Sequence, residues 1–227
     1  MNLQTDFYPD SKFGDWFIRS NIWSKYVLRE TISSLRGLYK SIPAKSKPVI
    51  LDAGCGYGHS FKYLIRFFNP GEILAIDIDP KVIRVAQIEA RKFITPVKVE
   101  TGDCSRLPYE TASVDIIFCH QTLHHLLDQE SALKEYARVL KADGILVMAE
   151  STKLFIQSFI IDLLFRHPNA SQRTKDEYLE LIKNAGFDTN LAAIETPFPW
   201  WTKNPVAKRN REPLLYMVAP KSQAGNQ

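Results

Sequence analysis

The chain has 227 residues, with 29 Lys and Arg against 25 Asp and Glu, and 45% of it is hydrophobic. That length and apolar share suit one α/β domain with added segments and exclude a disordered chain. A net charge of +4 is too small to argue for a nucleic-acid partner by itself, and the basic residues are spread out, most densely at Lys203, Lys208, Arg209 and Arg211, which reads as a solvated surface rather than a phosphate-tracking patch.

Residues 11–38 predict one or two helices that carry Phe13, Trp16, Phe17, Trp23 and Tyr26. They belong to an N-terminal helical extension, residues 1–47, that can act as a lid. From residue 48 onward, apolar β-branched runs alternate with helical runs. Strands are expected at 49–53, 73–78, 97–100, 114–119 and 145–149. Helices are expected at 58–68, from a cap at Asp79 with Pro80 in the first position, and at 128–140. This rhythm implies a parallel sheet with right-handed crossovers. After residue 150 it breaks. The run 154–165 is apolar on all sides, like a core or lid helix, and is too short to span a bilayer. Thr174 and Glu177 match a capping box for a helix ending near Gly186. Strands follow at 191–194 and 214–218. The core domain is placed at 48–220, with 151–205 contributing acceptor-site elements and 221–227 as a disordered tail.

Between the first strand and helix lies LDAGCGYG, residues 51–58. Small residues there let the backbone approach a ligand, and the helix N-terminus offers free N–H groups. A dinucleotide fingerprint reads GxGxxG, whereas here the third glycine comes one residue early. Asp52 precedes the first glycine, where a carboxylate repels a pyrophosphate but suits a cationic amino group. Asp77 ends the second strand roughly 20 residues further on, where a carboxylate can take both ribose hydroxyls.

With these motifs in place the sequence resembles the class I S-adenosylmethionine (SAM)-dependent methyltransferases of the small-molecule and lipid type. LDAGCGYG resembles their first motif and AIDID, residues 75–79, their second. Gly102-Asp103-Cys104, the run 114–126 and the turn 141–146 resemble the next three, in order. The resemblance implies a Rossmann-like, seven-stranded sheet with helices on both faces and its last strand, 214–218, antiparallel. It implies SAM as cofactor. Asp52, Gly54 and Gly56 would hold the methionine part, Asp77 the ribose, and Asp103 with Cys104 the adenine. Ala53, Cys55, Ile78 and Cys119 join the same contacts, and His120 would border the sulfonium and the acceptor.

Methyl transfer rests on holding an acceptor in line behind the methyl and excluding water, so it needs no catalytic dyad. Should the acceptor be a hydroxyl, the candidate bases are His120, which is best placed, and behind it His124 and His125. No third ligand accompanies His120 and His124, so no metal is expected. Acceptor-pocket candidates are Phe13, Trp16 and Phe17 in the extension, Phe155 and Phe159 in the apolar run, and Trp200 and Trp201 in a proline-rich loop. Together they point to a small, apolar or lipid-like acceptor. A protein or RNA acceptor, a non-catalytic scaffold role, and peripheral membrane contact through 154–165 remain open, as does the oligomeric state. Three unpaired cysteines and a polar, aromatic N-terminus suggest a reducing cytoplasm.

Overall fold

Every central strand alternates its side chains between two apolar layers, and this alternation decides what faces the site. The computed structural model describes residues 11–40, 45–158, 161, 165, 169–198 and 212–223. Its elements are α1 (Lys12–Arg19), a π-wound segment Trp23–Leu28 leading into α2 (Arg29–Tyr39), β1 (Val49–Ala53), α3 (Phe61–Phe68), β2 (Glu72–Asp77), α4 (Pro80–Ala90) and β3 (Val97–Thr101). There follow β4 (Val114–His120), a 3-10 turn Leu123–His125, α5 (Gln129–Val139), β5 (Leu140–Ser151), α6 (Lys153–Ile156), α7 (Lys175–Asn184), β6 (Ala193–Glu195) and β7 (Leu214–Pro220).

The seven strands run in the order β3-β2-β1-β4-β5-β7-β6. The first five are parallel, and β7 pairs antiparallel with both β5 and β6. Leu51, Ala53, Ile117, Cys119, Leu146 and Met148 point to the layer that also holds residues of α5 and α7. Ile50, Ile116, Phe118, Val147 and Ala149 point to the layer of α2, α3 and α4. Because helices cover both faces, β4 reads as a nearly continuous apolar run. Its one charged residue, Asp115, accepts from Val49 N–H at 3.0 Å, Lys45 Nζ at 3.2 Å and Lys141 Nζ at 2.9 Å. Burial acts against ionisation there, but Lys141, the Val49 N–H and Lys45 outweigh it and hold the carboxyl below its usual range.

The local signals were accurate. Asp79 caps α4 through Lys81 N–H with Pro80 in the first turn, and Thr174 and Glu177 form the capping box of α7. Several boundaries differ from the sequence reading. Helix α3 starts at Phe61 rather than residue 58, because Gly54, Gly56 and Gly58 all have positive φ and keep the loop non-helical. Strand β5 begins at Leu140, with a register shift against β4 that accommodates residues 141–144. The helix expected at 154–165 is described only as Lys153–Ile156, and most of its remainder lies outside the described residues. Lys221 and Ser222 are not a loose tail: Lys221 N–H bonds Gly144 O, its Nζ bonds Leu140 O, and Ser222 N–H bonds Gly186 O. Among the described residues no helix is long and apolar enough to cross a membrane.

Candidate active site

The carboxyl ends of β1, β2 and β4 converge on one cavity of about 640 Å³, where ligands collect in open α/β sheets. Its floor is the glycine loop. Gly54 N–H and Cys55 N–H both donate to Ile76 O, at 2.9 and 3.0 Å, which stitches the loop to the end of β2. Gly56 N–H donates to Asp77 Oδ2 at 2.9 Å, and Asp79 N–H donates to Asp77 Oδ1 at 3.0 Å. One carboxylate thus holds the loop and the α4 cap together. A side chain at Gly54 would run into Thr122, whose Oγ1 donates to the carbonyl of Ala53 or of His120. Position 54 therefore requires glycine on two grounds, contact and a φ of +79°.

Two carboxylates face this cavity with displaced titration. Burial pushes Asp52 up to about 7; its bond from Ser60 Oγ works the other way, and the nearby Asp77 charge adds to the rise. Burial also raises Asp77, against the N–H donors of Asp79, Gly56 and Ile78. A cation placed between them would favour ionisation of both. His120, at the end of β4, lies parallel to Phe118 with centroids 6.1 Å apart, and 5.6 Å from the Trp23 ring. Its Nε2 is buried without a hydrogen-bond partner. Burial drives its pKa down to about 4, although Glu150 pulls the other way, so the ring is neutral at pH 7.

Most of the expected cofactor residues meet here. Asp52, Gly54, Cys55 and Gly56 line the cavity from β1 and its loop, Asp77 and Ile78 from β2, Asp103 and Cys104 from β3's loop, and His120 from β4. Ala53 and Cys119 do not. They alternate with Asp52, Phe118 and His120, and so both are fully buried in the opposite layer, toward α5 and α7. His124 is also placed away from the cavity. It is 2% exposed, and its Nδ1 lies 2.7 Å from Glu150 Oε2. Glu150, wholly buried, accepts with Oε1 from Thr122 N–H at 2.7 Å and Leu123 N–H at 2.8 Å. This pair shapes the loop behind His120.

The expected acceptor aromatics are displaced as well. On α1 the side toward the cavity carries Ser11, Lys12, Asp15, Ile18 and Arg19. Phe13 and Phe17 stack on one another and meet Phe165 edge-on, and Trp16 is exposed. Among the described aromatics of residues 11–40, Trp23 is the one that lines the cavity. Phe155 packs against the layer of α2 and α3 rather than the cavity wall. Phe159, Trp200 and Trp201 lie outside the described residues. Tyr57 was not anticipated: it donates to Asp15 and sits beneath Arg19 at 5.3 Å, tying α1 over the glycine loop. Among the described residues no group of three or more His, Cys, Asp or Glu could hold a metal ion.

Residues 51–148 match the family model of the methyltransferase domain. With the sheet order and the glycine loop, that match decides the class. The segment is a class I SAM-dependent methyltransferase domain. The domain's cofactor is S-adenosylmethionine, and the cavity fits it: two buried carboxylates stand ready for a cation and hydroxyls, and the loop above Gly56 is open. The chain is 32% identical over 108 residues to the uncharacterized methyltransferase YcgJ of Bacillus subtilis, covering 47% of this chain and 42% of that protein. It is 29% identical over 180 residues to a demethylmenaquinone methyltransferase of Staphylococcus aureus, covering 76% and 69%. Among solved structures, the methyltransferase in complex with the Haloferax volcanii Trm112 methyltransferase activator shares the fold, with a TM-score of 0.73, 17% identity and coverage of 95% and 98%. The chain spans less than half the length of the first curated relatives it matches.

Proposed function

We propose that the chain transfers a methyl group from SAM to a small, apolar or lipid-like acceptor by in-line displacement. The observation that carries this reading is the mixed lining of the cavity. Asp52, Asp77 and Asp103 line it together with the apolar side chains of Ile18, Trp23, Leu28, Phe118 and Leu126. Asp52 would face the amino group of the cofactor, Asp77 the ribose and Asp103 the adenine. The cofactor supplies a methyl group on a sulfonium, an electrophile that needs positioning more than activation. These apolar side chains would hold the acceptor and exclude water, and alignment of this kind contributes about 7–11 kcal/mol. That two relatives are named demethylmenaquinone methyltransferase supports a small-molecule acceptor. Three free, buried cysteines suit a reducing compartment.

His120 is the group best placed to meet an acceptor hydroxyl, since its ring is neutral and borders the cavity. As the base it would contribute roughly 10²–10⁴-fold. His120→Ala should then lower kcat within that range, with little change in SAM affinity; a kcat within a factor of about three would remove the role.

The reading is tested with methyl-labelled SAM and cell material fractionated into solvent-extractable, protein and RNA pools. Label in the solvent-extractable pool is expected. Label confined to protein or RNA would overturn it in favour of a macromolecular acceptor.

A further inference from the structure

Three of the six aromatic residues of the N-terminal helices, Phe13, Trp16 and Tyr26, are exposed. Four large apolar side chains there are open to solvent: Phe13 at 41%, Trp16 at 57%, Ile22 at 51% and Tyr26 at 58%. Each pair is interleaved with cations. On α1 the exposed positions are Lys12, Phe13, Trp16 and Arg19; on the next segment they include Ile22, Lys25, Tyr26 and Arg29. The four cations of this stripe, Lys12, Arg19, Lys25 and Arg29, stand against two carboxylates, Asp15 and Glu30, so the stripe is net positive beside its exposed aromatics.

We infer that this face docks on an anionic lipid surface. Trp and Tyr favour the boundary between headgroups and acyl chains, and Lys and Arg beside them are drawn by anionic headgroups. A second copy of the chain fits less well, because an isologous contact would press one cationic surface against another. An acidic protein would meet the same charges and aromatics, and the test below tells it apart, because it predicts no flotation with protein-free vesicles. The surface also adjoins the cavity: Lys12, Arg19 and Trp23 belong to its wall, on the same segments that carry the exposed stripe. A bilayer held here lies beside the cavity mouth, so an apolar acceptor could pass from lipid to the site without crossing water. That last step rests on the proposed acceptor class; the docking surface does not. Peripheral contact is thus placed on α1 and the segment after it, rather than on residues 154–165.

The test is flotation of the full chain with phosphatidylcholine vesicles, with and without one third phosphatidylglycerol, in low and high salt. No SAM or acceptor is present, so the result is independent of the methylation reading. The wild-type chain should float with the anionic vesicles, remain behind with the neutral ones, and be released at high salt. Trp16→Ser with Tyr26→Ser should abolish flotation. Lys25→Glu with Arg29→Glu should weaken it by about fivefold or more for each charge. All four positions are exposed and off the cavity wall, so SAM binding should be unchanged and reports that the variants are folded. No flotation of the wild type, or equal flotation on neutral vesicles, would overturn the inference. So would a concentration-dependent dimer that disappears in the Trp16→Ser and Tyr26→Ser variant while vesicles are ignored.

Discussion

Asp115 and Asp52 stand at opposite ends of neighbouring strands, both inside the molecule, and their surroundings differ in kind. Asp115 receives one backbone N–H and two lysine ammonium groups and is held below its usual range. Asp52 has a single hydroxyl partner and is pushed up to about 7 by burial. The first closes the sheet. The second keeps an unmet demand for positive charge, which costs stability and can be met by a ligand. The same division separates His124, locked to Glu150, from His120, whose Nε2 has no partner.

The comparison is sharpest at Glu150, the most fully paired carboxylate of this end. Glu150→Ala should leave two N–H groups and His124 without their acceptor and cost about 3–5 kcal/mol, read as a large fall in denaturant midpoint. A loss below about 1 kcal/mol would deny it the structural role. Asp115→Ala should cost less, about 1–3 kcal/mol, because its two lysines can turn toward water. The stability Asp115 contributes is present above the unfolded carboxyl pKa and disappears as pH falls through its lower folded value. Asp52 has the opposite sign. Its folded pKa is raised, so its contribution is present below about pH 4 and is lost as pH climbs through about 7. Asp52→Asn should therefore flatten the decline in stability of the free protein between about pH 4 and 7. It should also remove a pH dependence of SAM affinity, which in the wild type tightens as pH rises to about 7 and then levels off. An unchanged pH profile in the variant would break the contrast between the two aspartates.

What was legible in the sequence was local. The caps at Asp79 and Thr174, the strand alternation and the glycine loop are set by neighbours within a few residues, and the structure has them where the pattern put them. The antiparallel β7 came with the family resemblance and holds. The misplaced site residues reflect contacts between distant parts of the chain. Nothing near His124 announces Glu150, 26 residues away, although a lone carboxylate closing the apolar run 145–149 required a buried partner. Trp23 meets His120 through the packing of the extension, so the aromatics of α1 could not be ranked by sequence alone. Ala53 and Cys119 are different: pleat alternation from Asp52 and His120 already assigns them to the other face.

Calorimetric titration of the purified chain with SAM, S-adenosylhomocysteine and NADH tests the cofactor site most directly. Saturable binding of both adenosyl ligands at one site per chain, with no heat from NADH, is the predicted result. A folded chain that binds neither adenosyl ligand, or that takes NADH instead, would contradict it.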